Sequence, residues 1–321
     1  MEDKGQKSAG TRYRIGTRGS KLALIQTEFV KARLERAYPA DAFEIVVIRT
    51  KGDAVTDRPI AAIGDNSLFT REIENALLDG RIDLAVHSMK DLAADCPAGL
   101  TLAKAWTRED PRDALVARNG IRSLEELPQG ATVATGSVRR TAILRRMRPD
   151  LRIVHIRGNV DTRLRKLFEP TADEPRLDAI ILAAAGLKRL GRDEAISQYI
   201  PVETMIPACN QGQLAIELRE GDTALKAKVD ALGDDVTEAV ACAERAFLKE
   251  TGSDCRRPVG AVASVKDGVL TMACVTGTDE TDLVFSRRTA GTVTLVGAGP
   301  GAPDLITVKG LKAIREADAI V

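Results

Sequence analysis

Aromatic side chains are scarce in this 321-residue chain: one Trp, three Tyr and six Phe, 3% of the total. So little π surface is poor material for stacking on bases and weighs against an RNA-binding module. Histidine is scarcer still. With only His87 and His155, a metal site built from several imidazoles is excluded, and none is expected. The five cysteines, Cys96, Cys209, Cys242, Cys255 and Cys274, contain no C-x-x-C pair. They offer neither zinc spacing nor a disulfide scaffold, and they fit a reducing compartment. The longest apolar run, Ala179 to Leu187, falls far short of the roughly 20 residues that span a bilayer. Residues 1–10 are polar, lack the apolar core of a signal peptide, and read as a disordered leader. A cytoplasmic protein is expected. An excess of one charge is also missing: 47 basic against 46 acidic residues leave a net +1. Any basic site must therefore be local.

What is present is a long alternation of short apolar runs and amphipathic segments, in a chain long enough for two or three domains. A strand at 13–17 leads through Arg18-Gly19-Ser20 into a helix to about Tyr38, with Leu22, Ile25, Phe29 and Ala32 on one face. A strand is expected at 43–48. Thr50 to Ser67 shows no period and reads as a functional or mobile loop. Phe69, Ile73 and Leu77 mark a helix closed by Gly80, and 82–86 is a buried strand. After Arg108-Glu109-Asp110-Pro111-Arg112-Asp113 a second α/β series follows, with strands at 114–117, 132–135, 152–156 and 179–182. Pro207 to Gln213 reads as a second crossing, with a helix from Gln213 returning to the first domain. A third unit begins near Asp234. Its helix, 236–250, has Asp235 as cap and Gly252 beyond its end, and strands follow at 259–265, 269–275 and 283–288. The expected fold is α/β, in domains at 11–107 plus about 213–232, at 108–212, and at 233–291.

Three stretches carry chemistry. The strand Leu84-Ala85-Val86 runs into His87-Ser88-Met89-Lys90-Asp91, so a cluster of polar and ionisable groups sits at a sheet edge. On its own this is equally well a solvated strand end. Ten basic residues lie between positions 139 and 166, against only Asp150 and Asp161. Arg139, Arg140, Arg157 and Arg163 sit near Thr135-Gly136-Ser137 and Arg157-Gly158-Asn159, where strands meet helices. There arginine forks and helix N-terminal amides would together hold a small anion. Arg145, Arg146 and Arg148 read as a solvated helix face. Cys255 stands in the polar loop Gly252-Ser253-Asp254-Cys255-Arg256-Arg257. The arginines favour its thiolate and Asp254 opposes them, and on these residues alone a surface thiol is the favoured reading over a reactive one.

Taken together, His87-Ser88-Met89-Lys90-Asp91-Leu92, Arg108-Glu109-Asp110-Pro111-Arg112-Asp113-Ala114, Arg157-Gly158-Asn159, Ile180-Ile181-Leu182-Ala183 with Gly186-Leu187, and Ala243-Glu244-Arg245-Ala246-Phe247 resemble the porphobilinogen deaminase (hydroxymethylbilane synthase) family, in the family's order, over about residues 11–290. The resemblance implies two domains like type II periplasmic binding proteins, hinged by two crossings, and a small α+β domain that presents a cofactor loop. It implies stepwise condensation of four porphobilinogen molecules to hydroxymethylbilane, with loss of ammonia, in tetrapyrrole biosynthesis. The growing chain would hang from a dipyrromethane cofactor held as a thioether on Cys255. Loss of the aminomethyl nitrogen leaves a cationic azafulvene, so Asp91 would bind pyrrole N–H groups, stabilise the cation and assist proton transfer. Arg18, Ser20, Ser88, Lys90, Arg139, Arg140, Arg157, Arg163 and Arg189 would meet substrate and cofactor carboxylates, with Ser137 and Gln211 as weaker correspondences. His87 would orient the loop. The expected partners are porphobilinogen and oligopyrrole intermediates, without nucleic acid or membrane, on a monomer.

The chain departs from the family pattern in three places. Asn66 stands in the mobile lid before Leu68-Phe69, where the family has a lysine. Ser253-Asp254 precede Cys255 in place of two glycines. From Val293 the chain resembles the start of a uroporphyrinogen-III C-methyltransferase, a strand leading into a Gly-rich turn at Gly297, Gly299 and Gly301. Residues 292–321 are expected to be a truncated start of that domain, inactive in methylation. A non-catalytic anion-binding protein of the same hinged fold is the rival reading, and Asp91 and Cys255 together separate the two. The intact protein is expected to weigh more than its sequence by two linked pyrroles. Cys255→Ala is expected to abolish that increment, as intact-mass spectrometry would read; an unmodified native protein would remove the covalent cofactor.

Overall fold

Short buried strands and helices with one apolar stripe can bury their faces only by layering, and this chain does so around three sheets. The structure, a computed structural model, describes residues 10–50, 70–252, 257–279 and 281–292. The first sheet holds β1 (Arg12–Thr17), β2 (Ala42–Val47), β3 (Leu84–Ser88), β4 (Leu100–Leu102) and β10 (Leu214–Arg219), in the order β2-β1-β3-β10-β4. The second holds β5 (Asp113–Ala117), β6 (Thr132–Ala134), β7 (Arg152–Val154), β8 (Ala179–Ala183) and β9 (Gln198–Tyr199), in the order β7-β6-β8-β5-β9. The two orders are the same pattern. Three parallel strands are followed by one antiparallel strand and then an outer strand. In each sheet the antiparallel strand is the one that arrives from the other unit. These are two α/β units built on one strand order.

Helices α1 (Lys21–Ala37), α2 (Arg71–Leu78) and α6 (Thr223–Asp230) accompany the first sheet. Helices α3 (Val138–Met147), α4 (Val160–Phe168) and α5 (Ala184–Arg189) accompany the second. Several begin on a capped strand-to-helix turn: Ser20 accepts from the Ala23 amide, Ser137 from Arg140 and Asn159 from Thr162. Such caps satisfy donors that the first helical turn leaves orphaned. The third sheet is an antiparallel meander of β11 (Gly260–Lys266), β12 (Val269–Thr276) and β13 (Val284–Thr292), with α7 (Asp235–Glu250) packed on it.

Three expectations need correction. The buried face of α1 is Gln26, Thr27, Val30 and Leu34, whereas Phe29 is half exposed and Ala32 faces water. Leu22 instead approaches Gly186 of α5, so this helix is covered on two sides and has no single stripe. The segment from Gln213 is strand β10, not a helix. Five of its six residues are buried, and a fully buried run shows no period to distinguish the two. The cap of α7 is Asp234, which accepts from Thr237, and Asp235 is the first helical residue.

The two crossings lie against each other. The Glu109 amide donates to the Gly212 carbonyl at 3.1 Å. A Cβ on Gly212, whose φ is +89°, would stand 2.3 Å from the Glu109 carbonyl oxygen, so only glycine allows this approach. Over them sits Glu244 of α7, fully buried. It accepts from Arg108 Nη1 at 2.7 Å and Nη2 at 3.1 Å, from the Asn210 amide at 2.5 Å and from the Ala263 amide at 2.7 Å. Burial pushes its carboxyl up, and Arg108 opposes that. Farther along α7, Arg245 donates to the Ala93 and Ala94 carbonyls and Lys249 pairs with Asp95. Glu244→Ala would leave Arg108 and two amides unpaired in the interior. It is expected to lower unfolding stability by about 3–5 kcal/mol, read as an earlier denaturant midpoint.

Candidate active site

Strand β3 ends at Ser88, and Met89–Asp91 forms one turn of 3₁₀ helix. The turn is pinned from behind. Met89 and Leu92 are buried in a cluster with Ala105, Ala215 and Ala241 of α7, and the Met89 amide donates to the Gln213 carbonyl at 3.0 Å. Anchoring these two side chains inward leaves Asp91 exposed. The preceding His87 faces the other way, buried, with Nε2 3.1 Å from the Glu217 carboxylate on β10. Ser88 exchanges hydrogen bonds with the Gln26 amide at 3.0 and 3.3 Å, so α1 holds the strand end from the side.

Lys90 points to the second unit and donates to Gln211 Oε1 at 3.2 Å. Gln211 Nε2 donates in turn to Asp113 Oδ1 at 2.8 Å and to the Pro111 carbonyl at 2.9 Å. Asp113 accepts from Arg139 Nη1 at 2.8 Å and from Arg140 Nη2 and Nε at 2.6 and 3.0 Å. This polar chain runs from one unit to the other. Burial alone would raise the Asp113 carboxyl, but Arg139 and Arg140 hold it well below the usual carboxylate range. Burial pushes the Lys90 ammonium down to about 8; Asp91 opposes this and Arg140 adds to it.

Around this chain lie the remaining arginines. Arg163 donates from Nε to the Gly158 carbonyl at 2.8 Å. Burial pushes its pKa down to about 10, with Arg140 and Arg157 adding and Asp91 opposing. Asp91 of the first unit thus lies within electrostatic reach of Arg163 of the second. Arg189 donates to the Gly212 carbonyl at 2.6 Å, and burial lowers its pKa. Arg18 is half buried and Ser20 caps α1 in the turn after β1. Arg157 Nη1 and Arg139 Nε are buried without a hydrogen-bond partner among the described residues.

The sequence reading placed Arg139 and Arg140 as cations facing an anion. The structure places both against Asp113, a buried carboxylate singled out only as the end of a motif. An acidic residue at the first position of a buried strand was the available signal. Gln26, Glu217 and Glu244 were also missed as supports, because their partners lie 62, 130 and 136 positions away. Arg146 and Arg148 do not lie on a plain solvated face. Arg146 donates to the Leu283 carbonyl at 3.1 Å and covers the Phe285 ring, and Arg148 pairs with Asp150 and binds the Leu124 and Leu127 carbonyls. Cys255, Asn66 and Phe69 lie outside the described residues, as do 293–321.

The described residues thus form a two-unit α/β protein in which arginine, lysine and serine side chains lie near the strand ends that carry one exposed carboxylate, Asp91. Comparison with known proteins gives the particular family. The family model "Porphobilinogen deaminase, dipyromethane cofactor binding domain" matches residues 13–227, and "Porphobilinogen deaminase, C-terminal domain" matches 239–294. Similar curated relatives are the porphobilinogen deaminases of Lachnospira eligens (54% identical, covering 87% of this chain and 94% of the relative), Syntrophus aciditrophicus (48%, 87% and 90%) and Roseiflexus sp. (46%, 94% and 97%). The chain belongs to the porphobilinogen deaminase family. A third model, "Tetrapyrrole (Corrin/Porphyrin) Methylases", matches residues 292–321.

Asp113→Asn tests the buried pairing. The folded-state pKa of Asp113 is depressed, so its contribution is complete above the unfolded value near 4 and fades as pH falls below it. The variant is expected to be about 3–5 kcal/mol less stable at neutral pH. The gap should narrow steadily below about pH 4, read from denaturant midpoints across pH; a gap independent of pH would remove Asp113 from this role.

Proposed function

We infer that the chain is a hydroxymethylbilane synthase that condenses four porphobilinogen molecules head to tail and releases ammonia at each step, on a dipyrromethane primer. The observation that supports this reading is that exposed Asp91 of the first unit acts electrostatically on Arg163 of the second, in a chain that belongs to the deaminase family. The cofactor, when bound, supplies the nucleophilic pyrrole end to which each new ring is joined. The residues present suit such a group. Its carboxylates call for planar forked donors, and Nη1 of Arg157 and Nε of Arg139 are buried donors without an acceptor among the described residues.

Cys255 is proposed as the thioether attachment point. It follows the last residue of α7, Glu250, by five positions (255 − 250), and α7 is the helix docked onto the segment just after Asp91. Asp91 is assigned the central role. An anionic carboxylate there accepts hydrogen bonds from pyrrole N–H groups and opposes the positive charge that grows as the aminomethyl nitrogen departs. It can also take the proton lost when the new carbon–carbon bond forms and the ring regains aromaticity. Lys90 and Ser88 beside it, with Arg18 and Ser20 across the β1 turn, bind and orient substrate carboxylates. Arg157, Arg163 and Arg189 meet the carboxylates of the growing chain, and Arg139, Arg140, Ser137 and Gln211 support them. Arg139 and Arg140 do so with their charge already shared with Asp113.

The domain limits that accord with these roles are 11–107 plus about 213–232, then 108–212, then 233–291. The return of β10 and α6 to the first sheet supports the split. No helix among the described residues is long and apolar enough to cross a membrane. We read the protein as a cytoplasmic monomer that works without nucleic acid or membrane. Asp91→Ala is expected to keep its fold and its Cys255 adduct while turnover falls on the order of 10³-fold, read by product formation beside circular dichroism and intact mass. Turnover near that of the native enzyme would strip Asp91 of its role.

A further inference from the structure

His155 takes no part in the arrangement above. It follows β7 at the sheet edge where β6 opens into the Thr135-Gly136-Ser137 turn and β8 into α5. The carboxyl ends of strands in an open α/β sheet are where ligands bind. The ring is exposed. Its Nε2 lies 3.7 Å from where a Cβ on Gly136 would stand, so it is beside the N-terminal turn of α3. Two residues on, Arg157 has a buried Nη1 without a partner. The charged groups that act on His155 are Arg157 on its own segment and Arg163 and Lys166 on α4. The partial burial of the ring first, and then these three cations, push its pKa down. No carboxylate among the described residues is found acting on it. An imidazole within electrostatic reach of three cations, and an arginine two residues on with a buried donor that finds no acceptor among the described residues, form a site that an anion completes.

We propose that His155, Arg157 and the turn at Gly136 form a carboxylate subsite for the growing pyrrole chain. This rests on the deaminase reading and extends it to a residue with no role in that reading. The chemistry is an acid–base equilibrium without covalent change. As the carboxylate arrives, the neutral imidazole takes one proton from solvent, and the imidazolium N–H donates to the carboxylate oxygen beside the Arg157 guanidinium. Binding of the later rings is therefore coupled to proton uptake. Their affinity should weaken as pH rises through the range in which His155 titrates.

The chain has only two histidines, so both ring signals can be followed by nitrogen NMR in the holoenzyme. The titration would run from pH 5 to 8, before and after substoichiometric porphobilinogen, with intact mass counting the rings added. The midpoint of His155 is expected to rise by about 1 unit or more once rings are added. A His155 midpoint that stays fixed while the mass shows added rings would overturn the subsite. No gain in mass at all would overturn the deaminase reading and the subsite with it. Kinetics supply the second arm. His155→Leu is expected to raise KM for porphobilinogen about tenfold near pH 6 and to flatten its rise with pH. His155→Arg should restore low KM without that pH dependence. A pH dependence of KM left intact in His155→Leu would also sink the proposal.

Discussion

Glu244 is a carboxylate from the third unit, and its four hydrogen bonds end on Arg108 in the first crossing, Asn210 in the second and Ala263 in the third sheet. The two crossings are the only covalent links between the two five-stranded units, and they touch each other at Glu109 and Gly212. A buried charge is costly unless every lone pair finds a donor, so Glu244 is satisfied only when the two crossings and the third sheet are all in place. The same helix then reaches forward through Arg245 and Lys249 to the backbone just past Asp91. The turn proposed to be catalytic, the two crossings and the unit proposed to carry the cofactor are thus referred to one helix.

The second constraint is how so many cations share a small volume. Arg139 and Arg140 are buried, and both pair with Asp113, whose single negative charge offsets one of their two positive charges and leaves neither guanidinium unpaired. Gln211 passes that polar chain on to Lys90 across the gap between the units. Outside it, Arg157, Arg163 and Arg189 keep donors turned toward backbone carbonyls or toward nothing. The depressed basicity of Arg163 and Arg189, from burial first, with Arg140 and Arg157 adding to it at Arg163 and Glu109 opposing it at Arg189, describes a site that holds positive charge at some electrostatic cost. A bound polyanion relieves that cost, which is a physical reason for such a site to prefer several carboxylates over one.

Much of the fold was legible in the chain. The strand–helix alternation, the polar crossing at 108–113 and the capped turns at Ser20, Ser137 and Asn159 are local signals, set by side-chain periodicity and by hydrogen bonds within three residues. The exposed position of Asp91 also follows from its neighbours, since Met89 and Leu92 are the apolar members of the turn. The errors came where a local rule had no purchase. The run Leu214–Arg219 is buried on both faces, so its strand character shows only once β3 and β4 flank it. Helix α1 is covered by both the sheet and α5, so its apolar residues do not mark its buried face.

By itself the sequence determined which residue types were available: one arginine-rich stretch, one exposed carboxylate after a buried strand, few aromatics, and motifs whose order points to a single family. Those are properties of composition and near neighbours. Only the tertiary structure decided the charge state and direction of those groups. Asp113 claims Arg139 and Arg140, Glu217 claims His87, Gln26 holds Ser88, and Glu244 binds Arg108 of the first crossing from 136 positions away. Such pairings depend on which strand ends the sheet order brings together and on how much water is excluded between them, and neither is written in any one stretch of the chain.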